Sequence, residues 1–480
     1  MSRALCRSAR GWLAGALLLA APLAALGDEN ADLERIPESI QSPQPAAESA
    51  AASERPADLS WRMFVENSVS GFSYRSDLAV PPPTGGLSEP AWQEWLALDS
   101  RGEHVLGGGW RIIHSARYNL FAEDTIVFPS EQTERLDLRE LYASWEAMPR
   151  SYLDAGRINV KNGVAVGFNP TDFFKTRAVV DFTSQDPTVL RENRLGAGIV
   201  RGQSLWDGGS VSLAFAPQLG PPSSIYNLNR LPSFDPMLDR TNGQQRTLLT
   251  ASFELPGDLS TQVLAYQAGT RAQAGLNLTL GLGRQVVAYA EWSGGDRGSL
   301  TTEALAYGKE TKTLPSATPR VLPGSSAIAF HQDVAAGASY TTAFKLSVYL
   351  EYDYHEAGFT KRDWQNWFAV GQRLRNVPQV AGELWYIREY AADQGEPMAQ
   401  QSIFVRASWT DAFVRDLELD GIAEISQVDD SALYQATATY FLSNRWTVGA
   451  LVLLNDGSRR SERGSLPEES SLLLKLTRYL

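Results

Sequence analysis

Phe344-Lys345-Leu346-Ser347-Val348-Tyr349-Leu350-Glu351-Tyr352-Asp353-Tyr354-His355 alternates without a break. Phe344, Leu346, Val348, Leu350, Tyr352 and Tyr354 fall on one face; Lys345, Ser347, Tyr349, Glu351, Asp353 and His355 fall on the other. Period two means a strand, because successive side chains point to opposite faces. A stretch of this length crosses a bilayer when tilted, which takes about 9–11 residues.

The pattern recurs along the chain. Trp110, Ile112, Ala116, Tyr118 and Leu120 oppose Arg111, Ser115, Arg117, Asn119 and Glu123. Ile403, Val405, Ala407 and Trp409 oppose Arg406 and Ser408. Leu417, Leu419, Ala423 and Ile425 oppose Glu418, Asp420, Glu424 and Ser426, and Tyr434, Ala436, Ala438 and Tyr440 oppose Gln435, Thr437 and Thr439. Stretches 195–206, 446–454 and 472–476 are apolar on both faces in places, as strands facing a packed plug or a neighbour would be. Asp207-Gly208-Gly209, Pro256-Gly257-Asp258 and Ser443-Asn444 read as short hairpin connections. The stretches 76–90, 218–245, 308–328 and 455–470 are long, polar and rich in Pro, Gly and Ser. Short turns alternating with long loops describe an all-β, closed antiparallel transmembrane β-barrel, with loops outside and turns in the periplasm. Such segments number about 16–20, and closure favours an even count near 18. A secreted sandwich fits less well, because its strands run to about 5–6 residues. Leu472, Leu474, Leu476 and Leu480 share one parity at the end of the chain. This resembles the terminal assembly signal of outer-membrane barrels, although that signal ends in Phe or Trp and Tyr479 lies one position off.

The start of the chain and its charge balance agree with export. Arg3, Arg7 and Arg10 precede an apolar run from Trp12 to Leu26, and Ala25 and Gly27 supply small residues for cleavage before Asp28. Residues 1–27 therefore read as a signal peptide. Residues 28–57 are rich in Ala, Pro, Ser and Glu and read as a disordered acidic arm, and 58–480 as the barrel. The single cysteine, Cys6, lies in the signal, so the exported chain has no thiol for disulfides or thiolate metal sites. Lys and Arg number 43 against 55 Asp and Glu, a net charge of −12, which argues against nucleic acid. Only seven of the basic residues are lysine. Arginine suits lumenal ion pairs, and a GC-rich genome would favour it equally.

One segment breaks the alternation. Trp364, Trp367, Phe368, Gly371 and Leu374 follow helical spacing, with Asp363 available as a cap. A short helix in a loop is expected, either folded into the mouth or, with twice the weight, packed on an outer loop.

Chemical motifs are few. His104, His114, His331 and His355 show no metal spacing, and His355, at a strand end, is expected to be solvated. No metal, cofactor or enzymatic activity is expected. His114 and Ser115 are adjacent, so a strand sends them to opposite faces and they form no dyad. The sequence leaves open a partner from another strand.

The most distinctive stretch runs from Gly156-Arg157-Ile158-Asn159-Val160-Lys161-Asn162-Gly163 to Gly167-Phe168-Asn169-Pro170-Thr171-Asp172-Phe173-Phe174-Lys175. A strand, an Asn-Pro-Thr-Asp turn and two phenylalanines suit a loop folded into the lumen, with Asn169, Asp172 and Lys175 at a constriction. The stretch resembles a "GR…G…NPTD" segment of several outer-membrane porin-like families. Size and strand pattern are similar to the alginate-export barrels across most of the chain. The resemblance implies a barrel and a transport role, not alginate as substrate. On the lumenal parity, Arg111, Arg117, Arg157, Lys161 and Arg246 come from the first half of the chain. Glu351, Asp353, Glu418, Asp420 and Glu424, with Arg406 among them, come from the second. Two readings stay open: facing walls of opposite charge that orient a solute, or ion pairs that fill the lumen. The expected function is an outer-membrane channel for a small hydrophilic or anionic solute, an oligosaccharide being one candidate. The alternative is a plugged barrel serving as a structural or export partner. Expected partners are membrane lipids, the outer-membrane assembly machinery and a periplasmic component at 28–57.

Overall fold

The computed structural model describes residues 60–83, 90–123, 134–175, 183–223 and 234–480. The expected signal peptide and acidic arm lie outside these residues.

Eighteen strands form one sheet, each hydrogen-bonded antiparallel to the next. β1 (Ser60–Tyr74) pairs with β2 (Trp92–Gly107) on one side and β18 (Glu468–Tyr479) on the other, which closes the barrel. Between them run β3 (Trp110–Glu123), β4 (Glu134–Met148), β5 (Ser151–Ile158), β6 (Ala197–Trp206), β7 (Gly209–Ala216), β8 (Arg246–Leu255), β9 (Leu259–Ala268) and β10 (Arg271–Leu282). The circuit continues through β11 (Val286–Arg297), β12 (Ala329–Thr341), β13 (Leu346–His355), β14 (Gln401–Trp409), β15 (Leu417–Ser426), β16 (Ala432–Ser443) and β17 (Trp446–Asp456). Closure leaves no unpaired sheet edge, the condition for spanning hydrocarbon with strands.

Burial follows the period-two reading. On β13, Leu350 is 58% exposed while its neighbour Glu351 is 1% exposed. Leu472, Leu474 and Leu476 face out from β18, and Leu473 faces in. The hairpin turns expected at 207–209, 256–258 and 443–444 are found at 207–208, 256–258 and 444–445, all at one end of the barrel; the long connections lie at the other.

Strand β4 departs from simple alternation. A bulge sets Ser115 opposite Glu140 but Ala116 opposite Leu138, leaving Arg139 as the extra residue on β4. Arg139 is 2% exposed, and its guanidinium reaches Asp99 at 2.6 Å and Ser115 at 3.0 Å.

Helices gather in the long connections: α3 (Leu300–Glu310) between β11 and β12, and α4 (Lys361–Arg373) and α5 (Pro378–Gln394) between β13 and β14. α1 (Pro187–Glu192) and α2 (Leu238–Thr241) are short. α4 is the helix read from Trp364, Trp367 and Phe368, but its N-cap is Thr360, not Asp363. Asp363 sits at the third helical position and returns a bond to the Thr360 backbone, completing a capping box. α5 was missed, although Pro378 at its start and Gly395 in left-handed conformation after its end are ordinary boundary signals. Trp364, Trp367 and Phe368 pack with Leu300 and Ala304 of α3, Leu384 and Trp385 of α5, and Val80 from the β1–β2 connection. The helix therefore belongs to a packed cluster of loops.

Candidate functional site

The β5–β6 connection does not stay in the loop layer. It runs to the inner faces of strands on the opposite wall, and two carboxylates receive it. Glu351 of β13 accepts the backbone N–H groups of Val166 at 2.8 Å, Gly167 at 3.0 Å and Phe168 at 2.9 Å. Glu291 of β11 accepts those of Val164, Ala165 and, at 3.3 Å, Thr171. Asn169 Nδ2 donates to Glu291 at 3.1 Å and to the Ala165 carbonyl at 2.6 Å. Thr171 Oγ1 donates to Asn277 of β10 at 2.8 Å. A segment with no ladder of its own must satisfy its N–H groups elsewhere, and here ionisable wall residues do so.

Shape reinforces these bonds. A Cβ on Gly167 would stand 2.6 Å from the Phe404 ring, and one on Gly163, whose φ is +102°, would stand 2.6 Å from Glu291. Val166 packs on a lumenal apolar patch of Phe404, Ile422, Leu433, Leu451, Leu453 and Leu473. That patch explains why 446–454 and 472–476 are apolar on both faces. Phe173 and Phe174 pack on Ile199, Leu248 and Tyr266, which gives 195–206 the same explanation.

The structure places the three turn residues together. Asn169 and Asp172 are buried, and Arg194 forks onto Asp172 at 2.9 and 3.1 Å. Burial would raise the Asp172 carboxyl, but Arg194 and Arg191 outweigh it and hold it below the usual aspartate range. Lys175 pairs with Glu396, after α5, at 3.2 Å.

The wall charges pair locally. Arg117 reaches Glu66 at 2.7 Å. Arg111 pairs with Glu103 at 3.0 Å near the short-turn end. Arg157 bonds the Leu138 carbonyl at 3.0 Å, Lys161 pairs with Glu192, and Arg246 bonds the Thr241 carbonyl and lies 4.4 Å from the Phe174 ring centre. On the other wall Arg406 bridges Asp420 at 2.9 Å and Asp186 at 3.1 Å, and Arg463 pairs with Glu424 at 2.8 Å. Asp353 meets Ser402 at 3.4 Å, while Glu418 lies on the same inward parity of β15 as Asp420. The two predicted sets lie on strands except for Lys161, which falls in the connection because β5 ends at Ile158, and most members meet close partners.

His355 corrects one expectation. It is 2% exposed, because the segment after β13 folds back over it, and its Nδ1 lies 2.9 Å from Asp333 and 3.6 Å from Glu396. Arg297 and Lys175 also reach these two carboxylates. Although the three side chains lie within ligand distance of one another, the two cations already neutralise the acids. Burial pushes Glu396 up, but Lys175 and His355 outweigh it and hold it low. Beside this network is a cavity of about 560 Å³, lined by Lys175, Arg246, Tyr266, Arg297, Tyr307 and Glu396 among others.

Sequence reasoning missed Glu291. The signal was present: Tyr289, Glu291 and Ser293 alternate with Ala288, Ala290 and Trp292.

No family model matches the chain, and no curated protein matches it by sequence. Solved structures do match. Acinetobacter baumannii OccAB1 is 8% identical, with 88% of this chain and 96% of that chain covered at a TM-score of 0.51. OccAB3 from the same organism is 9% identical, covering 88% and 99% at 0.49. Pseudomonas aeruginosa OccK5 (OpdH) is 7% identical, covering 88% and 98% at 0.49. At such identity the likeness to OccAB1 is one of fold alone, that of a closed β-barrel.

Proposed function

We propose that the chain is an outer-membrane channel whose passage is narrowed by the β5–β6 connection, and that it passes a small hydrophilic or anionic solute, an oligosaccharide being one candidate. The observation that carries this reading is the seat of 164–171 on Glu291 and Glu351, inside a closed barrel with an apolar outer wall. Asn169, Asp172 and Lys175 are the constriction residues of the proposal. The inward charges on the two walls, Arg111, Arg117, Arg157, Lys161 and Arg246 against Glu351, Asp353, Glu418, Asp420 and Glu424, line the way with paired donors and acceptors. Membrane lipids and the assembly machinery are the partners such a barrel requires; a periplasmic component would dock on 28–57.

A second reading has support of its own. The connection also crosses to β14 and β16, where Arg406 holds Asp186 and Gln435 holds Ser184. Two crossings and locally paired charge suit a plugged barrel acting as a structural or export partner. Single-channel recording on the purified full chain separates the two. Solute-dependent current supports the channel; a protein folded by heat-modifiable gel mobility yet silent supports the plug.

A further inference from the structure

On a lipid-facing wall, polar side chains are costly and are a default pointer to function. Three of them meet on the outer face of β2 and β3. Ser100 shares its parity with Leu96 and Leu98, each 40% exposed, and His114 shares its parity with Trp110 and Leu120. The register sets Gly102 opposite His114 and Ser100 opposite Ala116, so the two side chains are diagonal neighbours across the strand pair. Ser100 Oγ lies 3.0 Å from His114 Nε2. His114 Nδ1 lies 3.2 Å from His104 Nε2, with ring centres 5.1 Å apart and ring planes inclined at 19°. On the far side of the serine, the Trp61 indole N–H donates to Ser100 Oγ at 2.9 Å. The chain Trp61–Ser100–His114–His104 has a consistent direction of donation, with neutral imidazoles, from indole to serine to His114 to His104.

This is the constellation of nucleophile, general base and orienting group that defines an activated serine. Adjacent His114 and Ser115 point to opposite faces, as expected, and Ser115 instead bonds Arg139 inside the barrel. The partner comes from the neighbouring strand.

We propose that Ser100, His114 and His104 form an esterase site on the outer wall that hydrolyses acyl esters of membrane phospholipids. The location selects the substrate. Trp110 and Trp145 stack at 5.5 Å near the short turns and mark the interfacial level, while Trp61 lies across Gly102 from His114. His114 is about 13 Å along the strand from Trp110, on the bilayer side of that aromatic pair, where a phospholipid's acyl chain and its ester can reach it. Leu98, Leu106 and Leu120 offer the apolar surface on which a chain would lie. Ser100 Oγ attacks the ester carbonyl carbon as His114 Nε2 takes its proton. The Trp61 N–H, which donates to Ser100 Oγ before attack, shifts to the substrate carbonyl oxygen as negative charge develops there. The proton passes to the departing glycerol oxygen, and the lysophospholipid leaves. Water, deprotonated by His114, then releases the fatty acid and restores Ser100. Ser100 and His114 are the catalytic residues; His104 is a positioning residue. The inference is independent of whether the lumen conducts.

The full chain, folded in phosphatidylethanolamine–phosphatidylglycerol vesicles, is assayed for released fatty acid, and Ser100 is probed with a fluorophosphonate followed by peptide mass spectrometry. An adduct on Ser100 is expected, with fatty-acid release falling at least about a hundredfold in Ser100→Ala and His114→Gln. His104→Ala should lose about tenfold, and His104→Asp should recover part of that loss, a rescue that a role in packing alone would not give. Heat-modifiable gel mobility of Ser100→Ala equal to wild type shows that the barrel is intact. Equal fatty-acid release from wild type and Ser100→Ala, or no adduct on Ser100 in folded protein, overturns the proposal.

Discussion

Glu351 Oε1 accepts the backbone N–H of Gly167 at 3.0 Å, although the two residues are 184 positions apart. One belongs to the wall and the other to the segment that crosses the lumen. With Glu291, this carboxylate decides where the β5–β6 connection sits. Hydrogen bonds to a charged acceptor in a water-poor site contribute about 1.5–3 kcal/mol each, so two carboxylates with three backbone donors apiece form a strong latch.

Replacing both latches isosterically should free the segment while leaving the strands in place. Glu291→Gln/Glu351→Gln is expected to keep the heat-modifiable mobility of a folded barrel but to expose 164–171 to protease. If it conducts, it should do so with larger, noisier current. Protection of the segment equal to wild type would contradict the latch.

Asp172 makes a pH-dependent contribution. Its folded pKa is depressed by Arg194 and Arg191 against the effect of burial. The stabilisation is therefore fully present above the ordinary aspartate value of about 3.9 and is lost as pH falls through the lower folded value. Asp172→Asn should destabilise the segment by about 3 kcal/mol at neutral pH, because Arg194 is left buried and unpaired. The difference from wild type in hydrogen exchange of 160–175 should shrink as pH falls below the ordinary aspartate range. A gap that widens on acidification would contradict the sign.

Arg388 of α5 ties the loop cluster to the β17–β18 connection. It lies 5.0–5.6 Å from the ring centres of Trp364, Trp367 and Trp385 and bonds Ser465 Oγ at 2.8 Å. Burial pulls its guanidinium down to about 10, so it stays charged at neutral pH. Arg388→Met keeps the apolar stem and removes the fork. Limited proteolysis should then cut within 361–395 several-fold faster while the barrel stays intact.

The strands were legible because alternation is a local property that lipid on one side and polar filling on the other impose together. The site was partly legible. The Asn169–Lys175 segment stood out through its turn chemistry, and the doubly apolar strands announced something packed inside. Glu291 was missed because a lone glutamate on a strand looks like any inward polar residue; only the tertiary fold brings 164–171 to it. His355 was misread for the same reason, since the segment that buries it returns from 356–400. The Ser100–His114 neighbourhood depends on register between two strands, which a single sequence does not specify.

The most direct test uses the absence of cysteine beyond Cys6. A cysteine placed at Val164, at the start of the latched segment, is treated with a charged methanethiosulfonate during single-channel recording. The account predicts a stepwise fall in current as each channel is modified, with no effect on the protein lacking the introduced cysteine. Complete modification by mass spectrometry with unchanged current would show that the segment lies outside the conducting path.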